Sequence, residues 1–212
     1  GDYMNLSKSL EENYNHIKTD FVDCSDFLIR KAKTGNREFL IMVCDGLIDS
    51  LQLSQMVVSP ILRCDEIDID TIKKSITNSV ELNEAETFAD CYYYVMSGFA
   101  VVLVDGEDKA LAFGVQSPPA RSVDVPSNEQ STKAPKEAFV EVLNTNKALL
   151  RKRLKTPHLK LKQIKLASSA PMPCVIAYMD DRADKELVSQ ITLALQRSNL
   201  NTLTDFGTLV PF

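Results

Sequence analysis

Two short apolar runs joined by an acidic turn constrain this chain more than any other feature. Ala100-Val101-Val102-Leu103-Val104 and Ala110-Leu111-Ala112-Phe113-Gly114-Val115 flank Asp105-Gly106-Glu107-Asp108. Asp-Gly readily adopts the tight hairpin turn, so the two runs predict neighbouring antiparallel strands. Glu38-Phe39-Leu40-Ile41-Met42-Val43-Cys44 reads as a further buried strand. The turn Lys33-Thr34-Gly35-Asn36 leads into it, and a short strand candidate at 26–30 precedes that turn. Helical spacing of Leu6, Leu10, Tyr14 and Ile17 predicts an amphipathic helix over 5–18. A second helix is expected from near Ile48 toward Leu62, and two more pieces around 70–80 and 84–96. The triplet Tyr92-Tyr93-Tyr94 at the end of the last piece reads as core with one wet face.

Strands interleaved with helices predict an α/β (α+β) lobe. Its end is marked by Ser117-Pro118-Pro119 and Val125-Pro126-Ser127-Asn128, a proline-rich connection. Beyond it, Pro135 suits the first turn of a helix running to about Lys155. Strands over 159–166 and 173–178 follow, then a helix from an Asp184 N-cap to Ser198. That connection permits two small α/β lobes: an N-terminal lobe 1–120, a linker 121–127 and a C-terminal lobe 128–212.

Composition excludes several function classes. With 24 Lys+Arg against 29 Asp+Glu the net charge is −5, which opposes general nucleic-acid binding. Seven glycines form neither of the common phosphate-cradling loops, so no cofactor is expected. Five cysteines at 24, 44, 64, 91 and 174 are odd in number and widely spaced, and read as buried thiols of a reducing compartment. No apolar run is long enough to span a bilayer, and the start of the chain lacks a signal-peptide core. No activated nucleophile, paired-carboxylate geometry or metal constellation is visible, so no catalytic and no metal residue is expected. Asp180-Asp181 reads as N-terminal helix charge and capping.

The most informative stretch is 121–154. It runs Arg121-Ser122-Val123, Pro126-x-x-Glu129, Lys133-Ala134-Pro135-Lys136-Glu137-Ala138-Phe139-Val140-Glu141, then Asn144-Thr145-Asn146-x-x-Leu149-Leu150-Arg151-Lys152-Arg153-Leu154. This order resembles the A-subunit family of bacterial spore germinant receptors. Ser25-Asp26-Phe27-Leu28-Ile29-Arg30, Cys44-Asp45-Gly46-Leu47-Ile48-Asp49, Asp105-Gly106 and Val175-Ile176-Ala177-Tyr178-Met179 are similar to other parts of that family. Val125 stands where the family has Glu, Lys133-Ala134 replaces Arg-Gly, and Lys136 replaces Arg. Positive charge therefore persists at 133 without a planar guanidinium.

The resemblance implies that the two lobes are separated by a cleft and form the soluble N-terminal domain of a receptor subunit, with a membrane-embedded region following Phe212. It also implies B and C subunits as partners and the spore inner membrane as location; the reduced-looking cysteines favour its cytoplasmic side. A small nutrient germinant (amino acid, sugar or nucleoside) would bind in the cleft, and Arg121, Glu129, Lys133, Asn144 and Asn146 are the candidate contacts. The alternative is an assembly module whose motif residues fix packing. Read physically, Phe139, Leu143, Leu150 and Leu154 share a helix face with Asn146, which either bonds the backbone of the neighbouring lobe or meets ligand. Arg121 either pairs with Glu129 or Glu137 or reaches the cleft. The run Arg151-Lys152-Arg153 either complements the helix dipole in solvent or contacts anionic headgroups or a partner subunit.

Overall fold

Three apolar-rich runs and two more polar ones assemble into one five-stranded sheet. The computed structural model describes residues 4–35, 37–75, 81–117, 139–166 and 172–197. Strands β1 (Phe27–Thr34), β2 (Arg37–Cys44), β3 (Leu82–Ala85), β4 (Phe99–Val104) and β5 (Ala110–Gly114) order as β1-β2-β4-β5-β3. Every neighbouring pair is antiparallel, and the β4–β5 register sets Leu103 opposite Ala110 across the Asp105-Gly106 turn. Gly106 takes φ +88, the left-handed backbone this turn requires.

Both faces of the central strands are covered, which explains apolar runs without polar alternation in an antiparallel sheet. One core gathers Phe39 and Val43 of β2, Ala100, Val102 and Val104 of β4, and Leu111 and Phe113 of β5. Val57, Ile61 and Ile72 close it from the helical side. The intervening residues Leu40, Met42, Val101 and Leu103 point to the opposite face by strand alternation and are buried as well. Helix α5 (Phe88–Val95) packs on β2, β4 and β5.

The remaining helices of this region are α1 (Leu10–Asp20), α2 (Ser50–Gln52), a π-helical stretch Leu53–Val58, α3 (Ser59–Leu62) and α4 (Ile69–Ser75). Helix α1 starts at Leu10, later than the apolar spacing implied, because Asp105 of the hairpin turn accepts the Leu10 N–H at 3.1 Å. Asp49 caps α2 by accepting from the N–H groups of Leu51 and Gln52. The helical piece expected over 84–96 divides: Glu84 lies in β3, and a capping box between Thr87 and Asp90 starts α5 at Phe88. Such a cap contributes about 1 kcal/mol, enough to set a boundary where the apolar pattern is ambiguous. Tyr92 is buried and Tyr93 exposed, the one wet face anticipated for the triplet.

The chain divides into two compact units, Gly1–Thr19 with Asp26–Thr156, and Asp20–Ser25 with Pro157–Phe212. The linker expected at 121–127 lies outside the described residues. Helix α6 (Leu143–Arg153), expected in the C-terminal lobe, belongs to the first unit. The second unit contains the hairpin β6 (Leu159–Leu166) and β7 (Met172–Met179) and helix α7 (Lys185–Arg197). Asp184 accepts the Glu186 N–H at 2.8 Å, so the capping of α7 falls to it and not to Asp180 or Asp181. Residues 23–25 join β6 through a parallel bridge between Cys24 and Leu161, and Asp23 adopts φ +59 there. No helix of the described residues is long and apolar enough to cross a membrane.

Candidate functional site

The family-like segment at the end of β2 and the one on α6 meet in the first unit. Gly46 follows β2 with φ +78, and a Cβ there would lie 3.1 Å from the Ala148 Cβ and 3.4 Å from the Asn144 carbonyl oxygen. The missing side chain lets α6 lie directly on the Asp45-Gly46 turn.

Arg151 anchors this arrangement. Its Nε donates to Asp26 Oδ2 at 2.7 Å and its Nη2 to Asp26 Oδ1 at 3.1 Å, a two-pronged pair. Nη1 donates to the Thr156 carbonyl at 2.7 Å. The Cys44 thiol lies 3.2 Å from the same Asp26 Oδ2, and the Asp26 carbonyl accepts the Asp45 N–H. The side chains of Arg151 and Asp26 are 1% and 0% exposed. A charge pair so deeply desolvated is tolerated only with excellent geometry and its remaining donors satisfied, and both conditions hold here. Arg151 is therefore unavailable for the headgroup or partner contact expected of it, whereas Lys152 and Arg153 are exposed.

The face of α6 that faces inward also differs from the expected one. Lys147, Ala148 and Arg151 are buried. Phe139 is 67% and Leu154 42% exposed, and 139–142 precede the helix, whose first residue is Leu143. Apolar spacing alone chose the wrong stripe because two long basic side chains, with apolar stems and a paired head in the case of Arg151, occupy the buried positions. Asn146 donates from its amide to the Val140 carbonyl at 2.7 Å and accepts the Val140 N–H at 2.8 Å, closing the segment ahead of the helix. Asn144 is exposed. Arg121, Glu129 and Lys133 lie outside the described residues. The structure thus brings Asn144, Asn146 and Lys152 onto one helix, and commits Asn146 to backbone.

A recess of about 400 Å³ opens beside the end of α6. Buried Leu47 and Met96 form its floor, with Ser97, Gln116 and Ser117 along its wall. Lys152 and Lys155 stand at the rim; Lys155 Nζ donates to Ser97 Oγ at 3.0 Å and lies 5.4 Å from the Tyr93 ring centroid. Sequence spacing gave no sign of this grouping, since its members come from four separated segments.

In the second unit, Asp180 meets His158 Nδ1 at 2.8 Å and Lys160 Nζ at 3.1 Å. Burial raises the Asp180 pKa, but hydrogen bonds from His158 and Lys160 and their charges outweigh it and hold the group below the usual aspartate value. The depressed value adds stability that is present above the ordinary aspartate pKa and lost as pH falls through the lowered one. Lys160→Gln is expected to move the Asp180 carboxyl midpoint upward in an NMR titration. Asp181 lies close enough to His158 and Asp180 for three ligand-type atoms to share one locality. The Lys160 ammonium already neutralises Asp180 there. Tyr178 donates to Asp23 Oδ2 at 3.1 Å, and burial together with that carboxylate pushes its phenol up to about 12.

The described residues define a mixed α+β domain in which two motif side chains, Asn146 and Arg151, are committed to internal contacts. Residues 15–212 match the family described as Bacillus/Clostridium GerA spore germination protein, and the chain belongs to that family. Spore germination protein B1 of Bacillus subtilis (strain 168) is 29% identical over 215 residues, covering 97% of this chain and 44% of the relative. Spore germination protein A1 of the same organism is 27% identical over 187 residues, covering 87% and 39%. The chain spans less than half the length of these curated relatives. The crystal structure of the N-terminal domain of the A subunit of the Bacillus megaterium spore germinant receptor GerK3 matches with a TM-score of 0.73 at 24% identity. That match covers 100% of this chain and 78% of the other, so the two share a fold.

Proposed function

We propose that the chain is the N-terminal domain of an A subunit in a spore nutrient-germinant receptor, acting there as an assembly and relay module. The supporting observation is the commitment of Asn146 and Arg151, two motif positions expected to meet ligand or partner, to Val140 and Asp26. Side chains spent in this way fix α6 on the first unit and give neighbouring elements a rigid element to push against. In this reading B and C subunits dock on the domain, a membrane region continues the chain, and the assembly sits at the spore inner membrane with this domain on its cytoplasmic side. Exposed Lys152 is a cation that a headgroup or subunit could contact. No catalytic step enters this reading.

Asn146→Ala separates the roles. Loss of both bonds to Val140 is expected to cost roughly 1–2 kcal/mol, lowering Tm by about 2–8 °C for a chain of this size. Receptor abundance in spores should fall while the half-maximal nutrient concentration stays unchanged. An altered nutrient concentration dependence with an intact melting temperature would refute the assembly role.

The second reading is direct recognition of an amino acid, sugar or nucleoside, with Arg121, Glu129 and Lys133 lining an inter-lobe cleft and Asn144 beside them. The recess next to Lys152 and Lys155 favours ligand binding within this domain, since sites for small molecules are concave, partly apolar and carry a few placed polar groups.

A further inference from the structure

We infer that the recess bounded by Leu47, Met96, Ser97, Gln116, Lys152 and Lys155 is a binding site for a small carboxylate bearing a short apolar group and lacking an α-ammonium. This goes beyond the second reading above: it shares with it only that this domain binds a small ligand, and it assigns a different ligand class and a different location. Three observations lead there.

The charge is one-sided. The whole chain carries a net charge of −5, yet the described lining of this recess has two lysines and no carboxylate. Lys155 is bonded to the neutral hydroxyl of Ser97. Neither ammonium has an ion-pair partner among the described residues, so each retains its capacity for an anion. A local positive potential within an acidic protein concentrates small anions at the recess.

The wall offers donors of fixed position. Ser97, Gln116 and Ser117 supply two hydroxyls and an amide around the same opening. Their backbone is tightly held. The Ser117 N–H donates to the Leu47 carbonyl at 2.9 Å, and the Ser97 N–H donates to the Tyr94 carbonyl at 2.9 Å. Gly98 takes φ +87 between them, and a Cβ there would lie 2.8 Å from the Leu47 oxygen and 3.0 Å from Gln116 Cγ. A wall so constrained loses little freedom when a ligand docks.

The floor is apolar. Leu47 is 4% and Met96 1% exposed, so the depth of the recess suits a few methyl groups and not a sugar ring dense in hydroxyls. A carboxylate at the lysines and an alkyl group on the floor match the two chemistries. A zwitterionic amino acid would set its ammonium beside two like charges with no acid to receive it, and is disfavoured for that reason.

The test is an amide NMR titration of this chain with isobutyrate, isobutyramide, valine and inorganic phosphate, alongside a pool of amino acids, sugars and nucleosides. Isobutyrate is expected to give saturable shifts at Ser97, Gly98, Gln116 and Ser117, at least tenfold tighter than isobutyramide or valine. Lys152→Gln with Lys155→Gln should weaken it at least tenfold and leave the other amides in place, while Lys152→Arg with Lys155→Arg retains binding. No saturable shift with isobutyrate at tens of millimolar overturns the assignment. So does equal binding of phosphate, which would make the recess a general anion patch without use for its floor. If pooled nutrients shift other amides while isobutyrate shifts none, this site fails and nutrient recognition stands; if nothing binds, both fail.

Discussion

Arg151→Ala lowers the unfolding free energy of the first unit by about 3–5 kcal/mol, because it strands the Asp26 carboxylate, 0% exposed, without its countercharge. Asp26→Ala does the same by stranding the guanidinium. Both figures are a large fraction of the roughly 5–15 kcal/mol that a domain has in total, so each variant sits near the edge of folding at physiological temperature. The double variant Asp26→Leu with Arg151→Met recovers most of the loss, since the two charges then leave together and apolar side chains fill their place. Urea denaturation of the unmutated protein, Asp26→Leu, Arg151→Met and the double variant measures the coupling. Arg151→Lys belongs in the same series: one ammonium cannot span both carboxylate oxygens and the Thr156 carbonyl together, and an intermediate cost follows. A single-variant cost below about 1 kcal/mol, the range of exposed pairs, would mean that water reaches the pair and that α6 is held by something else.

Phe39→Ala is expected to cost about 3–5 kcal/mol through lost transfer energy and the cavity left behind. Phe39 is fully buried, lies opposite Val104 in the β2–β4 register and shares a core with Ile61, Ile72, Leu111 and Phe113. Helices and strands meet around it, so neighbouring side chains cannot close the space without moving the sheet. Leu51 provides the contrast. It is apolar too but 64% exposed on the short helix α2, and Leu51→Ala should change stability by about 0.5 kcal/mol or less. A similar cost at both positions would contradict the placement of the core.

Much of the fold was legible because the strand signal here is strong and local. The run from Phe39 to Cys44, the two runs around Asp105-Gly106 and the alternating Lys and apolar residues of 159–166 all became strands with bounds close to those expected. Asp184 was legible as a cap because capping is a contact between near neighbours. Helix boundaries were harder. Glu84 sits in a helix-friendly context by composition, yet β3 forms there because β5 offers an edge to pair with. The start of α1 was set by Asp105, ninety-five residues away.

The candidate site was legible only as a segment. Asn146 was read as a residue that must find partners, either the backbone of the neighbouring lobe or a ligand; the backbone of Val140, six residues earlier in the same unit, takes both ends of its amide instead. Arg151 was read with its neighbours as a basic helix end, since three adjacent cations look alike in one dimension. Helical rotation of roughly 100° per residue separates them, turning Arg151 inward and leaving Lys152 and Arg153 in solvent.

By itself the sequence determined the class of the fold, the hairpin at Asp105-Gly106, the family-like stretch from 121 to 154 and the absence of the common phosphate loops. Those are short-range properties, written in side-chain periodicity, turn chemistry and residue order. Only the tertiary structure decided that Asp26 is the partner of Arg151 across 125 positions, and that Leu47, Met96, Gln116 and Lys155 share one recess. Such pairings depend on which strand edges and helix faces meet, and no local periodicity carries that information.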